Sequence, residues 1–289
     1  MYTVMGITGQ IGGVVGDVLL AANQQVRAVV RDADKGRAWA DRGCEVAQAT
    51  IEDAASLTTA FRGAEGVFVL VPSSFDPTPG FFEARTIGVT LRAALEAASP
   101  ARVVYLSTIG AQATRSNLLT QHTIIEEALG TLPTPITFLR PAWFMENCSW
   151  DVAPARAQGV IPSFLQPLDK PVPMVATADI GQVAAELLQQ NWTGKRVVEL
   201  DGAKRVSPQE VGTIFAKILG HAVRVEAVPR NTWQALFESQ GVLHPLPRIQ
   251  MLDGFNEGWI DFEGGGEHRR GSVTLETVIA GLTGTGGPA

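Results

Sequence analysis

Short apolar runs rich in β-branched residues alternate with longer stretches of helical periodicity through the first two hundred residues. The runs are Tyr2 to Met5, Val26 to Val30, Glu45 to Gln48, Val67 to Val71, Arg102 to Ser107, Ile136 to Leu139 and Arg196 to Leu200. Several, such as VFVLV and VVYL, are apolar without alternation, the pattern of strands buried on both faces of a sheet. Between them, GGVVGDVLLAANQ, ASLTTAFRG, FFEARTIGVTLRAALEAAS and TQHTIIEEALG place apolar residues at helical spacing, several with a Gly or Pro stop just beyond. This rhythm predicts an α/β fold, a doubly wound parallel sheet covered by crossover helices.

Beyond residue 145 the pattern is less regular. Pro154, Pro162, Pro167, Pro171 and Pro173 exclude one long helix and suit a segment that wraps over the sheet edge. The helical patterns SPQEVGTIFAKILG, NTWQALFESQG and the run around RIQMLDGFNEGWIDF, with a further strand at Val223 to Val228, predict a smaller C-terminal α/β lobe over the carboxyl ends of the sheet. The expected organisation is a core over residues 1–145 and a mixed region over 146–289 that returns a late strand, near 196–201, to the sheet. Asp179, in VATADIGQVAAELL and immediately before a helical run, reads as a helix N-cap, and the final GTGGPA as a flexible tail.

Charge and composition narrow the function classes. With 23 Lys and Arg against 29 Asp and Glu, the formal net charge is −6, which excludes a nucleic-acid binder that relies on overall positive charge. At 45% hydrophobic and 18% charged residues, the chain has ample material for a core. Cys44 and Cys148 lie far apart without a metal-ligand spacing, as do His221, His244 and His268, so reduced thiols, no metal and a cytoplasmic setting are expected. The apolar N-terminus has no Lys or Arg before Arg27 and is interrupted by Asp17, so it reads as part of the fold, and no run is long enough for a membrane span.

The first strand runs straight into Gly6-Ile7-Thr8-Gly9-Gln10-Ile11-Gly12-Gly13 and then a helix. Glycines three apart allow a tight turn, let backbone N–H groups approach a pyrophosphate, and let the helix pack close to the strand, while the helix N-terminus attracts the charge. This is a GxxGxxG variant of the dinucleotide-binding loop, and it makes residues 1–145 a Rossmann-type NAD(P)-binding core. Arg31 falls about 20 residues beyond the third glycine, where the residue meeting the adenosine ribose is expected. An arginine there pairs with the 2′-phosphate of NADP, with Lys35 or Arg37 as a second cation; adjacent Asp32 keeps NAD(H) as the alternative cofactor.

With this loop, VRAVVRD, YLSTIGA and LRPAWFMEN, the chain resembles the NmrA-like group of atypical short-chain dehydrogenase/reductase proteins. That group includes NADPH-dependent quinone reductases, triphenylmethane-type reductases, isoflavone-reductase-like enzymes and non-catalytic redox-sensing regulators. The resemblance implies that Gly6, Thr8, Gly9, Gln10, Ile11 and Gly12 hold the pyrophosphate and that Arg31 holds the adenosine end. It further implies that Val71, Pro72 and Ser73 pass the nicotinamide ribose. Ser107 and the segment Pro141, Ala142, Trp143 and Phe144 would then wall the nicotinamide pocket. Where many relatives carry an Asp beside the adenine, this chain has Thr50.

The Tyr-x-x-x-Lys pair of typical short-chain dehydrogenases is absent, since only Tyr2 and Tyr105 exist and the residue four beyond Tyr105 is Ile109. Hydride delivery to an ordinary ketone makes a strongly basic alkoxide, so losing a positioned acid costs roughly 10²–10⁴ in rate. A quinone instead yields a delocalised anion that water can protonate, so proximity and an apolar pocket suffice. In QHTIIEEAL, His122 stands near where relatives often carry Lys. It is a candidate proton donor or ribose contact, against the plainer reading of a surface helix histidine paired with Glu126. Phe75, Phe82 and Trp143 are candidate contacts for a flat acceptor, with Phe81 and Phe144 nearby, although such aromatics are more often core.

These features predict an NAD(P)H-dependent reductase of a small, apolar, quinone-like or conjugated acceptor. The alternative is an NAD(P)-binding redox sensor of the NmrA type that does not turn the cofactor over. In either case no nucleic-acid or membrane partner is expected, and the chain is a monomer or homodimer.

Overall fold

In the computed structural model, which describes residues 1–284, the strand and helix alternation is continuous through the first half of the chain. The predicted GTGGPA tail falls, beyond Gly284, outside the described residues. Strand β1 (Tyr2–Met5) leads into α1 (Gln10–Ala21), followed by β2 (Val26–Val30), α2 (Ala33–Ala40), β3 (Glu45–Gln48) and α3 (Ala54–Phe61). Then come β4 (Gly66–Leu70), α4 (Phe82–Ala98), β5 (Arg102–Leu106), α5 (Thr120–Gly130) and β6 (Ile136–Pro141).

The chain next leaves the sheet through β7 (Trp143–Phe144), a 3-10 segment (Met145–Asp151), α6 (Val152–Gln158), β8 (Val160–Ser163), β9 (Met174–Val175) and α7 (Thr177–Leu188). It rejoins the sheet as β10 (Lys195–Asp201) and departs again through α8 (Pro208–Leu219), β11 (Arg224–Ala227), α9 (Trp233–Ser239) and α10 (Leu246–Glu257). A last return, β12 (Glu267–Arg270), precedes α11 (Leu275–Thr283).

The main sheet runs β3-β2-β1-β4-β5-β6-β10-β12 with every pairing parallel. Its order reverses between β1 and β4, so a crevice opens there at the carboxyl ends of the strands. The non-alternating runs explain the central position of β4 and β5, since Val67, Phe68, Val69, Val103, Val104 and Tyr105 are all fully buried. On one face, Val15 and Leu19 of α1 meet Ile180, Ala184 and Leu187 of α7. On the other, Leu57 and Phe61 of α3, Leu91 and Leu95 of α4, and Ile125 and Leu129 of α5 form the core. Each such aliphatic or aromatic side chain contributes about 1.5–3 kcal/mol on leaving water.

A third cluster, including Phe215, Trp233, Phe237, Phe255 and Ile279, builds the lobe. Its helix α8 is fixed at the start by a capping box, in which the Ser207 hydroxyl accepts from the Glu210 N–H and the Glu210 carboxylate accepts from the Ser207 N–H.

The N-cap reading of Asp179 is corrected. The cap position of α7 is Ala176, and the carboxylate of Glu146 accepts from the Thr177 N–H at 2.9 Å and from the Thr177 hydroxyl at 2.7 Å. Asp179 lies inside the helix and accepts from the N–H groups of Ser272 and Val273, at 3.1 and 3.0 Å. It thereby ties the turn after β12 to α7. A side chain at Gly271 would enter that carboxylate, its Cβ falling 2.3 Å from Oδ2.

Candidate active site

Between β1 and α1 the glycine-rich loop takes the shape that its glycines require. Gly6 has φ +66°, the left-handed region, and a Cβ on Gly12 would lie 2.2 Å from the Gly6 carbonyl oxygen. Gly9 stands at the N-cap of α1 without a side-chain cap, and no carboxylate occupies the first turn. The first N–H groups of α1 therefore have neither a side-chain cap nor a carboxylate in their own turn, as an anion site needs. Thr8 and Gln10 are exposed on the loop, whereas Ile11 turns inward and lines the cavity described below.

At the end of β2, Arg31 and Lys35 are exposed, and neither is engaged in an ion pair among the described residues. Their neighbours are occupied. Asp32 caps α2 by accepting from the Asp34 N–H at 3.0 Å, and Arg37 pairs with Asp34 at 2.7 Å. The carboxylate suited to a ribose 2′-OH thus has a structural task, while Arg31 and Lys35 remain available for a phosphate.

A cavity of about 700 Å³ opens at the carboxyl ends of β4, β5 and β6 and is roofed by the lobe. It gathers Ile11, Val71, Pro72, Ser73, Phe75, Ser107, His122, Ala142, Trp143 and Phe144 from the residues expected of the site. Pro141 is buried at the end of β6 and does not line it. Phe82 is placed elsewhere. It opens α4 with 69% of its surface exposed and lies outside the cavity lining, because the left-handed Phe81 just before it turns its own ring inward onto Ala84 and Ile124.

His122 is not a surface histidine and does not pair with Glu126. Buried on α5, it makes two hydrogen bonds, Nε2 with Ser73 Oγ and Nδ1 with Tyr105 Oη, both 2.8 Å. Glu126 is engaged one turn on, accepting from Ser107 Oγ at 2.5 Å and from the Arg140 guanidinium at 2.6 and 2.9 Å. Burial pushes the imidazole down to about 4 and pushes the Tyr105 phenol well above its ordinary value, with the Glu126 charge adding to the latter. At neutral pH the imidazole is neutral and the phenol keeps its proton.

Several lining residues escaped the sequence reading. Trp150, Phe164, Phe237, Met251 and Phe255 supply apolar wall, with Trp143 set edge-on to Phe255 at 5.2 Å and Phe75 edge-on to Trp150 at 6.1 Å. Two ionisable groups join them. Burial raises the Asp151 carboxyl to about 7, and Arg248 stands among the aromatics of α9 and the Phe75 segment. Cys148 also lines the cavity, but burial pushes its thiol far up, so it is no nucleophile at neutral pH. Among the described residues no helix is long and apolar enough to cross a membrane.

A family model described as the NmrA-like family matches residues 2–261. The chain belongs to the NmrA-like family. Among curated members of known name, this NmrA-like chain is 26% identical over 244 residues to quinone oxidoreductase 2 of Escherichia coli strain K12, covering 84% of this chain and 82% of that one. It is 28% identical over 235 residues to the NAD(P)H azoreductase of Xenophilus azovorans, with 79% and 77% covered. Its fold matches the Citrobacter sp. triphenylmethane reductase crystallised with NADP(H), at TM-score 0.78 and 22% identity over 97% of this chain and 99% of that one.

Proposed function

We propose that this NmrA-like chain is an NAD(P)H-dependent reductase that transfers hydride to a small, flat, quinone-like or conjugated acceptor, with NADP(H) preferred. One observation carries the reading. The cavity at the sheet's reversal point brings the phosphate-loop residue Ile11 into the same space as Val71 to Ser73 and the aromatic lobe, so dinucleotide and acceptor share one apolar chamber. The names of the curated relatives, a quinone oxidoreductase and an azoreductase, support the same class of acceptor.

When bound, the reduced nicotinamide supplies the hydride. The loop from Gly6 to Gly12 would hold the pyrophosphate through its N–H groups, and Arg31 with Lys35 would hold the 2′-phosphate. Val71, Pro72 and Ser73 would hold the ribose, while Ala142, Trp143 and Phe144 would wall the nicotinamide side and exclude water.

Protons are handled by a short chain of hydroxyls. In the tautomer with the imidazole hydrogen on Nε2, Tyr105 donates to Nδ1 of His122 and Nε2 donates to Ser73 Oγ. The Ser73 hydrogen is then free to point into the cavity, where it meets the oxygen that gains charge. No lysine lines the cavity, which suits an acceptor whose reduced form is a weak base and disfavours alcohol dehydrogenation. The buried, unpaired thiols of Cys44 and Cys148 suit a reducing, cytoplasmic setting.

The test is steady-state oxidation of NADPH and NADH by the purified protein against quinones, azo and triphenylmethane dyes and simple ketones, with cofactor affinities titrated alongside. The reading expects quinone turnover, negligible ketone turnover and tighter NADPH than NADH. Tight cofactor binding with no turnover across the panel would replace it with a sensor.

A further inference from the structure

Arg248 is a cation in an apolar cavity without a counter-ion. Its guanidinium carbon stands 4.3 Å from the Phe237 ring centre and 5.6 Å from that of Phe75, and all three residues line the cavity. Two other deeply placed arginines are neutralised, Arg140 by Glu126 and Glu263 and Arg102 by Glu65. Arg248 has no carboxylate partner and no hydrogen-bond acceptor among the described residues. Burial accordingly pushes its pKa down, whereas at Arg140 the Glu126 and Glu263 carboxylates outweigh burial and push it up.

Asp151, the cavity's other ionisable lining residue of note, does not answer it. Burial alone raises that carboxyl, with no cation opposing the rise, so the two groups do not neutralise each other. A guanidinium stays charged at any working pH, and a half-buried charge without a partner is costly. Stacking on two rings recovers only part of that cost and leaves the in-plane N–H donors unused. Those donors suit the oxygens of a carboxylate, sulfonate or phosphate.

We propose that Arg248 is an anion anchor, and that the acceptor is a flat conjugated ring system bearing an oxyanion substituent. This rests on the reductase reading for the word acceptor, though not for the anion site. The ring lies among Trp143, Phe164 and Phe255, and the substituent meets the guanidinium held by Phe75 and Phe237. A neutral quinone would fill the same chamber and leave Arg248 unpaired, so specificity arises from the charge.

The experiment compares naphthoquinone with its sulfonate and carboxylate derivatives as acceptors for wild type, Arg248→Met and Arg248→Lys. In parallel, binding of naphthoate and of its neutral methyl ester is followed by quenching of tryptophan fluorescence, since Trp143 and Trp150 line the cavity. Wild type should bind naphthoate more tightly than the ester. In Arg248→Met, the kcat/KM of each charged quinone relative to the neutral one should fall by about 10- to 100-fold, and Arg248→Lys should restore part of the ratio.

Turnover with an unchanged ratio in Arg248→Met would overturn the anchor and leave the reductase standing. A loss shared equally by charged and neutral probes would overturn it too, reducing Arg248 to a clamp on the Phe75 segment. A raised KM for NADPH with an unchanged ratio would assign the guanidinium to the cofactor instead. If no quinone is reduced, but naphthoate binds and is lost specifically in Arg248→Met, the anchor stands and the reductase reading falls. Should Arg248→Met fail to fold, wild-type preference for naphthoate over its ester, abolished by salt, supports the anchor, and equal binding of the two rejects it.

Discussion

His122 illustrates how one residue changes meaning between sequence and fold. Its position four before Glu126 suggested a helix-surface pair, but the side chain turns inward between Ser73 and Tyr105, residues 49 and 17 positions away. No local spacing announces such long-range partners. Because the imidazole is neutral in the folded state down to about pH 4, the unfolded chain takes up a proton first as pH falls below about 6.5. The stability it contributes is therefore full above that pH and is lost toward pH 4, on the order of 3 kcal/mol. Asp151 acts oppositely. Its raised carboxyl favours the fold at low pH, and that benefit is lost as pH rises through about 7. Urea midpoints should show His122→Asn less acid-sensitive than wild type between pH 7 and pH 4.5, and Asp151→Asn more stable than wild type at pH 8. For activity, His122→Ala should lower kcat for quinones about 10-fold or more. Unchanged turnover would make the histidine a framework residue.

At the scale of elements, the β1–α1 turn was the most legible part of the chain, since its glycines answer to backbone geometry that any sequence must obey. Gly12→Ala would drive a methyl group into the Gly6 carbonyl, so loss of cofactor binding with a lowered melting temperature is expected, measured by NADPH titration and calorimetry. Arg31→Ala, on an exposed turn, should instead raise the KM for NADPH about 10-fold with little effect on NADH or on folding. An equal effect on both cofactors would remove Arg31 from the 2′-phosphate. Other elements were harder to read. β12 is EHRR, a charged edge strand whose pairing with β10 depends on backbone geometry rather than on apolar pattern. The two-residue strands β7 and β9 are too short to carry any periodicity. Asp179 looked like a cap because it opens an apolar run, yet Glu146, distant in sequence, satisfies the start of α7.

Across the whole molecule, strand and helix alternation was enough to predict the parallel sheet, and the reversal of strand order between β1 and β4 places the chamber. The apolar surface that roofs it was not legible in the sequence. Phe164, Phe237, Arg248 and Phe255 converge only through the path from α6 to α10, and Phe82, adjacent in sequence to a buried ring, points away. The proposed function requires dinucleotide and acceptor to meet in this chamber and exchange a hydride. Its most direct test is a single-turnover experiment, in which protein saturated with NADPH is mixed with naphthoquinone and the nicotinamide absorbance is followed in time. A decay far faster than that of free NADPH with the same quinone is expected. Bound NADPH that persists as long as free NADPH would contradict it.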